Sequence, residues 1–157
     1  MTEAAYQDLS GVAETLLIIL AIRAFESQRP DALVKDERAE ALVSQMDQDL
    51  LRKKLAKIED YSQVATILRS RELDRHAQDF LARHPEAVVV HIGCGLDTRF
   101  ERVDNGQVEW YDLDLPDVIA LRRKLIGGEG QRYRLLGCSR QEAGDRTTFN
   151  QKGGGYA

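Results

Sequence analysis

Gly93 and Gly95 stand directly after the β-branched run Val88-Val89-Val90-His91-Ile92, and Asp97-Thr98 follows them. Glycine has no Cβ, so this turn can bend tightly and bring its backbone close to a ligand. About twenty residues on, Val108-Glu109-Trp110-Tyr111 leads into Asp112-Leu113-Asp114. Strand, Gly-x-Gly turn, helix start, second strand and terminal acid make a nucleoside-binding half-site, with the acid placed to accept from ribose hydroxyls. A dinucleotide fingerprint would carry a third glycine where this chain has Thr98. That glycine gives pyrophosphate access to the helix terminus. Its absence favours a ligand with adenosine and ribose but no pyrophosphate, and S-adenosyl-L-methionine fits that description.

These residues need a scaffold of alternating strands and helices. The sequence predicts strands over Ala87–Ile92, Val108–Leu113 and Tyr133–Cys138. A helix is expected after Asp97, and another from Pro116 to the stop at Gly127-Gly128. Such alternation implies a parallel sheet whose ligands sit at the carboxyl ends of the strands. Upstream, Thr15 is placed to cap a helix running to about Ser27, with further helices over Asp36–Met46 and Gln48–Ile58. The stretch Ser62–Arg83 is helical in composition. Its apolar residues fall on two faces, Val64, Ile67 and Leu68 against Leu73, Ala77, Phe80 and Leu81. This predicts a kink or break at Arg69-Ser70-Arg71-Glu72, or a helix that touches two layers. The fold class is therefore α/β, a partial Rossmann-like parallel sheet of about three strands preceded by an N-terminal helical region. Its divisions are a helical cap region over 1–86, a Rossmann-like cofactor-binding core over 87–140 and an irregular tail over 141–157.

Composition narrows the function classes. The chain has 157 residues, 43% hydrophobic and 31% charged, with a formal net charge of -4. An acidic balance argues against a nucleic-acid-binding surface. Leu16–Ile22 is far short of the roughly 20 apolar residues that a membrane span needs, and no signal peptide is visible. Cys94 and Cys138 read as free thiols in a reducing, cytoplasmic setting.

Several residues also have plainer readings. The glycines could serve only a tight strand–helix turn. Asp97 or Thr98 reads as a helix N-cap rather than a ligand, and Asp112 as either a ribose acceptor or a solvated strand end. Arg71, Arg75, His76 and His84 read as surface residues. His91 reads as a satisfied core histidine, Cys94 as a small filler of the turn, and Trp110 and Tyr111 as core and rim.

The segment Val90-His91-Ile92-Gly93-Cys94-Gly95-Leu96-Asp97-Thr98-Arg99 closely resembles the motif of the leucine carboxyl methyltransferase family, which includes bacterial polyketide-type O-methyltransferases. Three other segments match. Ala21-Ile22-Arg23-Ala24 with Arg29-Pro30-Asp31 and Lys35-Asp36 resembles its N-terminal helical signature. Arg69-Ser70-Arg71 resembles its arginine motif, and Trp110–Pro116 its second-strand motif. The resemblance spans roughly residues 12–138. It implies S-adenosyl-L-methionine as cofactor and methyl transfer to a carboxylate or hydroxyl of a small molecule or peptide. Arg69 would pair with the methionine carboxylate, the backbone at Gly93 and Gly95 would approach the cofactor, and Asp114, with Asp112 as alternative, would accept from the ribose. A kink at Arg69 would lift that arginine into the cleft.

Family relatives continue well beyond the third strand, and Arg140–Ala157 matches none of that continuation. The first strand is then expected to show an unpaired apolar edge, a pairing liability open to a second copy of the chain. Three origins are consistent with this: a truncated or frameshifted product, a fragment completed by another chain, or a tail that covers the edge. The functional alternatives are a methyltransferase, or its cofactor-binding half, and a non-catalytic remnant or interaction module.

Overall fold

The computed structural model describes residues 11–138. Among the described residues four helices come first: α1 (Gly11–Ser27), α2 (Glu37–Val43), α3 (Gln48–Leu55) and α4 (Asp60–Leu81). Strands and helices then alternate as β1 (Val88–Ile92), α5 (Arg99–Val103), β2 (Glu109–Asp114), α6 (Pro116–Leu125) and β3 (Tyr133–Gly137). The expected tail over 141–157 lies outside the described residues.

Local chemistry explains most boundaries. Asp36 caps α2 by accepting from the Ala39 amide, and Asp47 caps α3 by accepting from Leu50. Pro116 opens α6 at a position whose amide would have no helical partner. One expected cap is corrected. Helix α1 begins at Gly11, which puts Thr15 in its second turn rather than at its N-terminus. Glu14 in the first turn suits the helix dipole there.

The expected kink at Arg69–Glu72 is also corrected. Helix α4 runs unbroken for 22 residues. Its buried stripe is Ile67, Ser70, Asp74 and Leu81, with Ala77 partly buried in line. This is one continuous helical face at three- and four-residue spacing. Val64, Leu68, Leu73 and Phe80, which suggested two faces, are exposed. Two buried stripe positions are polar. Ser70 donates to the Thr66 carbonyl, and Asp74 is held by arginines of α5. The helix does reach two layers, since Ile67 lies in the core of the N-terminal helices and Leu81 in the core beneath the sheet.

The sheet is parallel, with order β1-β2-β3. Val90 pairs with Tyr111, and Tyr111 with Arg134. One face carries Val89, Trp110, Tyr133 and Leu135 and packs on Leu81, Phe100, Val103 and Ile119 from α4, α5 and α6. On the other face Val88, Val90 and Ile92 are 62%, 53% and 76% exposed. The architecture is that of a partial Rossmann-like α/β fold, with a helical region before the sheet and, among the described residues, one sheet face covered.

Candidate functional site

The site forms where β1 and β2 end side by side. His91 pairs with Asp112, and Ile92 with Leu113. The chain leaves β1 through Gly93 at φ 69° and Gly95 at φ 51°, a left-handed conformation that side chains rarely adopt. The Gly93 and Cys94 amides both donate to the Leu113 carbonyl. The Gly95 amide donates to Asp114 Oδ2 at 2.8 Å. The turn is thus fastened to the end of β2.

The two glycines do different work. A Cβ at Gly93 would meet nothing within 4 Å, so its surface is open to a ligand. A Cβ at Gly95 would lie 2.7 Å from Leu16 Cδ2. Gly95 therefore lets helix α1 pack against the turn.

The acids differ in the same way. Asp112 is 1% exposed. Its Oδ1 faces His91 Nδ1 and accepts from Trp110 Nε1, while Oδ2 accepts from the Tyr133 hydroxyl and pairs with Arg122. Four contacts fill a carboxylate that offers about four lone-pair sites. The reading of Asp112 as a solvated strand end is thereby corrected. Burial opposes its ionisation, but His91, Arg122, Tyr133 and Trp110 together hold its pKa below the ordinary value. Asp114 is only partly buried. It accepts from the Gly95 and Leu115 amides, which leaves about half of its acceptor capacity.

Arg69 lies on the exposed side of α4. No hydrogen bond or ion pair holds it among the described residues, and none joins it to the glycine turn. Arg71 and Arg75 sit in surface pairs with Glu72 and Asp79, as expected. His91 is a satisfied histidine between Asp112 and Arg99. Cys94 is buried, and that burial pushes its thiol up to about 12, with Arg122 opposing. Tyr133 is likewise raised by burial.

A buried charge network around the turn escaped the sequence reading. Arg23 donates to Asp36 Oδ2 and to the Leu96 carbonyl. Thr98 occupies the N-cap position of α5, but its hydroxyl donates to Asp36 instead of capping the helix. Arg99 and Arg102 both pair with Asp74 and Asp97. Burial opposes ionisation of Asp97, yet Arg23, Arg102 and Arg99 hold its carboxyl well below the usual range. Arg122 donates to the carbonyls of Gly95 and Asp97. A signal for these residues was present in the sequence. Arg23 and Ser27 share a helical face with Leu20, Asp74 with Ile67 and Leu81, and Arg122 with Val118 and Leu125. A polar residue in an apolar stripe marks a buried and paired group.

Strand-end glycines, a partly open acid and a parallel sheet define an α/β protein whose candidate site lies at its strand ends. The chain belongs to the leucine carboxyl methyltransferase family, whose pattern matches residues 16–141. It is 44% identical over 132 residues to the tetracenomycin polyketide synthesis O-methyltransferase TcmP of Streptomyces glaucescens, an alignment covering 83% of this chain and 47% of that protein. It is 36% identical over 140 residues to the S-adenosyl-L-methionine-dependent methyltransferase dpfgK of Gibberella zeae, covering 81% of this chain and 46% of that protein. The chain thus spans about half the length of the curated relatives it matches. The cofactor of the family is S-adenosyl-L-methionine. Among the described residues, no helix is long and apolar enough to cross a membrane.

Proposed function

We propose that this chain is the cofactor-binding part of an S-adenosyl-L-methionine-dependent O-methyltransferase acting on a carboxylate or hydroxyl of a small molecule or peptide. The observation that carries the reading is the bond from the Gly95 amide to Asp114, which joins the two strand ends beside an open Gly93. The residues fit the cofactor. Asp114 keeps acceptor capacity for ribose hydroxyls, the Gly93 backbone is open to close approach, and Arg69 is a cation available for the methionine carboxylate. Asp112 is the weaker choice for the ribose, because its oxygens are already engaged.

When bound, the cofactor supplies an electrophilic methyl group on its sulfonium. The chain's own part is to hold and orient. Near the turn, among the described residues, His91 is held by Asp112 and Arg99 while Cys94 and Tyr133 have raised pKa values. This favours an acceptor that is already ionised near pH 7, as a carboxylate is. Two cysteines in a chain of this length, Cys94 and Cys138, suit a reducing, cytoplasmic setting.

A second reading is a non-catalytic remnant or interaction module. It is favoured by the exposed apolar residues of β1. Calorimetric titration with S-adenosylhomocysteine, with Asp114→Ala as control, separates the two. Binding that Asp114→Ala weakens supports the cofactor site. No heat at millimolar ligand overturns it.

A further inference from the structure

The glycine turn should be intrinsically loose. Two glycines within three residues leave the backbone more freedom than any other residue pair would. Yet the carbonyls of three consecutive residues, Gly95, Leu96 and Asp97, are all held by guanidinium groups. Arg122 of α6 reaches Gly95 O at 2.9 Å and Asp97 O at 2.5 Å. Arg23 of α1 reaches Leu96 O at 2.8 Å. Both arginines are almost fully buried, at 1% and 2% exposure.

Each arginine is itself fixed from behind. Arg122 also bonds the Tyr133 hydroxyl at 2.8 and 3.0 Å, tying the turn to β3. It pairs with Asp112 of β2. Arg23 is anchored on Asp36, which also takes Thr98 and Arg102. One clamp therefore reaches the turn from α6, anchored on the sheet, and the other from the N-terminal helices.

Burying two guanidinium groups carries a desolvation cost, and buried ion pairs add little net stability. What they provide is geometry. With its carbonyls drawn inward, the turn presents the Gly93 backbone outward.

We propose that Arg23 and Arg122 are positioning residues that hold the Gly93–Asp97 turn in its cofactor-receiving shape before the cofactor arrives. The proposal rests on the cofactor reading above and adds a cause to it: a turn ordered in advance lowers the ordering cost of binding. Neither arginine is required to touch the cofactor.

Arg122→Lys and Arg23→Lys test this. Lysine keeps the charge but lacks the planar fork that reaches several acceptors at once. Leu55→Ala, outside the turn in the core of the N-terminal helices, serves as a control that lowers stability. Amide hydrogen exchange and S-adenosylhomocysteine affinity are measured on all four chains, well below their melting temperatures. The expected result has two parts. Exchange of the amides of residues 93–97 accelerates at least tenfold in the lysine variants relative to the rest of the chain. Their affinity for S-adenosylhomocysteine falls at least tenfold, whereas Leu55→Ala binds like the parent. Lysine variants with parental exchange at 93–97 and parental affinity overturn the proposal. Equal loss of affinity in Leu55→Ala also overturns it, since the effect is then one of general stability. A parent that binds no S-adenosylhomocysteine overturns the cofactor reading instead, and exchange at 93–97 alone then decides whether the clamp exists.

Discussion

The carboxylate of Asp114, at the end of β2, accepts a hydrogen bond from the amide of Gly95, in the turn that leaves β1. The acid and the glycine turn are therefore one structural unit. Substitutions at Asp114 should separate its two duties. In Asp114→Asn the amide oxygen can still accept from Gly95, but an NH2 donor replaces the oxygen that accepts from the Leu115 amide and that remains open to a ligand. Loss of a hydrogen bond to a charged group costs about 1.5–3 kcal/mol, or roughly ten- to a hundredfold in affinity. Calorimetry should show that loss for S-adenosylhomocysteine, while the thermal midpoint falls only by what the lost Leu115 bond accounts for and less than in Asp114→Ala. In Asp114→Ala both affinity and midpoint should fall. Equal binding by parent and Asp114→Asn would remove Asp114 from the ribose site.

Arg69 predicts the opposite profile. It is exposed and makes no bond that stabilises the described fold, so Arg69→Ala should leave the thermal midpoint unchanged. If it meets the methionine carboxylate, affinity for S-adenosylhomocysteine should fall about tenfold or more, as expected for a charge-assisted contact. It should lose little affinity for adenosine, which has no carboxylate. Parallel losses for both ligands would argue against that role.

Asp112 should matter for stability first. Removing one partner of a buried ion pair costs about 3–5 kcal/mol. Asp112→Asn leaves the Arg122 guanidinium buried without its counter-charge. The urea midpoint should fall by an amount that this range accounts for, and a variant as stable as the parent would show that the pair is dispensable.

Acid should act through the same carboxylates. Asp97 and Asp112 both have pKa values lowered in the folded chain. A lowered folded pKa means that the unfolded chain binds protons first as pH falls. Their stabilisation is therefore fully present at neutral pH. It should be lost progressively from about pH 4, the unfolded aspartate value, downward. Urea midpoints measured between pH 7 and pH 2.5 should trace that loss, with a smaller slope in Asp112→Asn. A midpoint flat across this window would contradict the network.

The open side of β1 predicts self-association. Among the described residues, β1 lies at the edge of the sheet and exposes the apolar side chains of Val88, Val90 and Ile92, which favours association between copies. Sedimentation should show mass rising with concentration. Val90→Lys, at a half-exposed position on the uncovered face, should suppress it. A monomer at every concentration would rule out this edge as a contact.

The sequence by itself determined the order of strands and helices, the position of the turn and the acid, and the family. Those features are local. Glycine spacing, β-branched runs, Pro116 and the aspartate caps each act within a few residues. Only the tertiary structure decided which acid is open. Asp112 and Asp114 are two residues apart on one strand and share a face, and no local pattern tells which is enclosed. Asp112 is filled by Arg122, Tyr133 and His91, which come from α6, β3 and β1. The unbroken course of α4 was decided in the same way. Its stripe passes through Ser70 and Asp74, and it reads as continuous only once Arg99 and Arg102 are seen to neutralise Asp74. Gly95 and Leu16 meet across 79 positions of the chain, so the packing role of that glycine was also invisible in one dimension. Burying a charge is favourable only when its partner arrives, and here the partners arrive from distant segments.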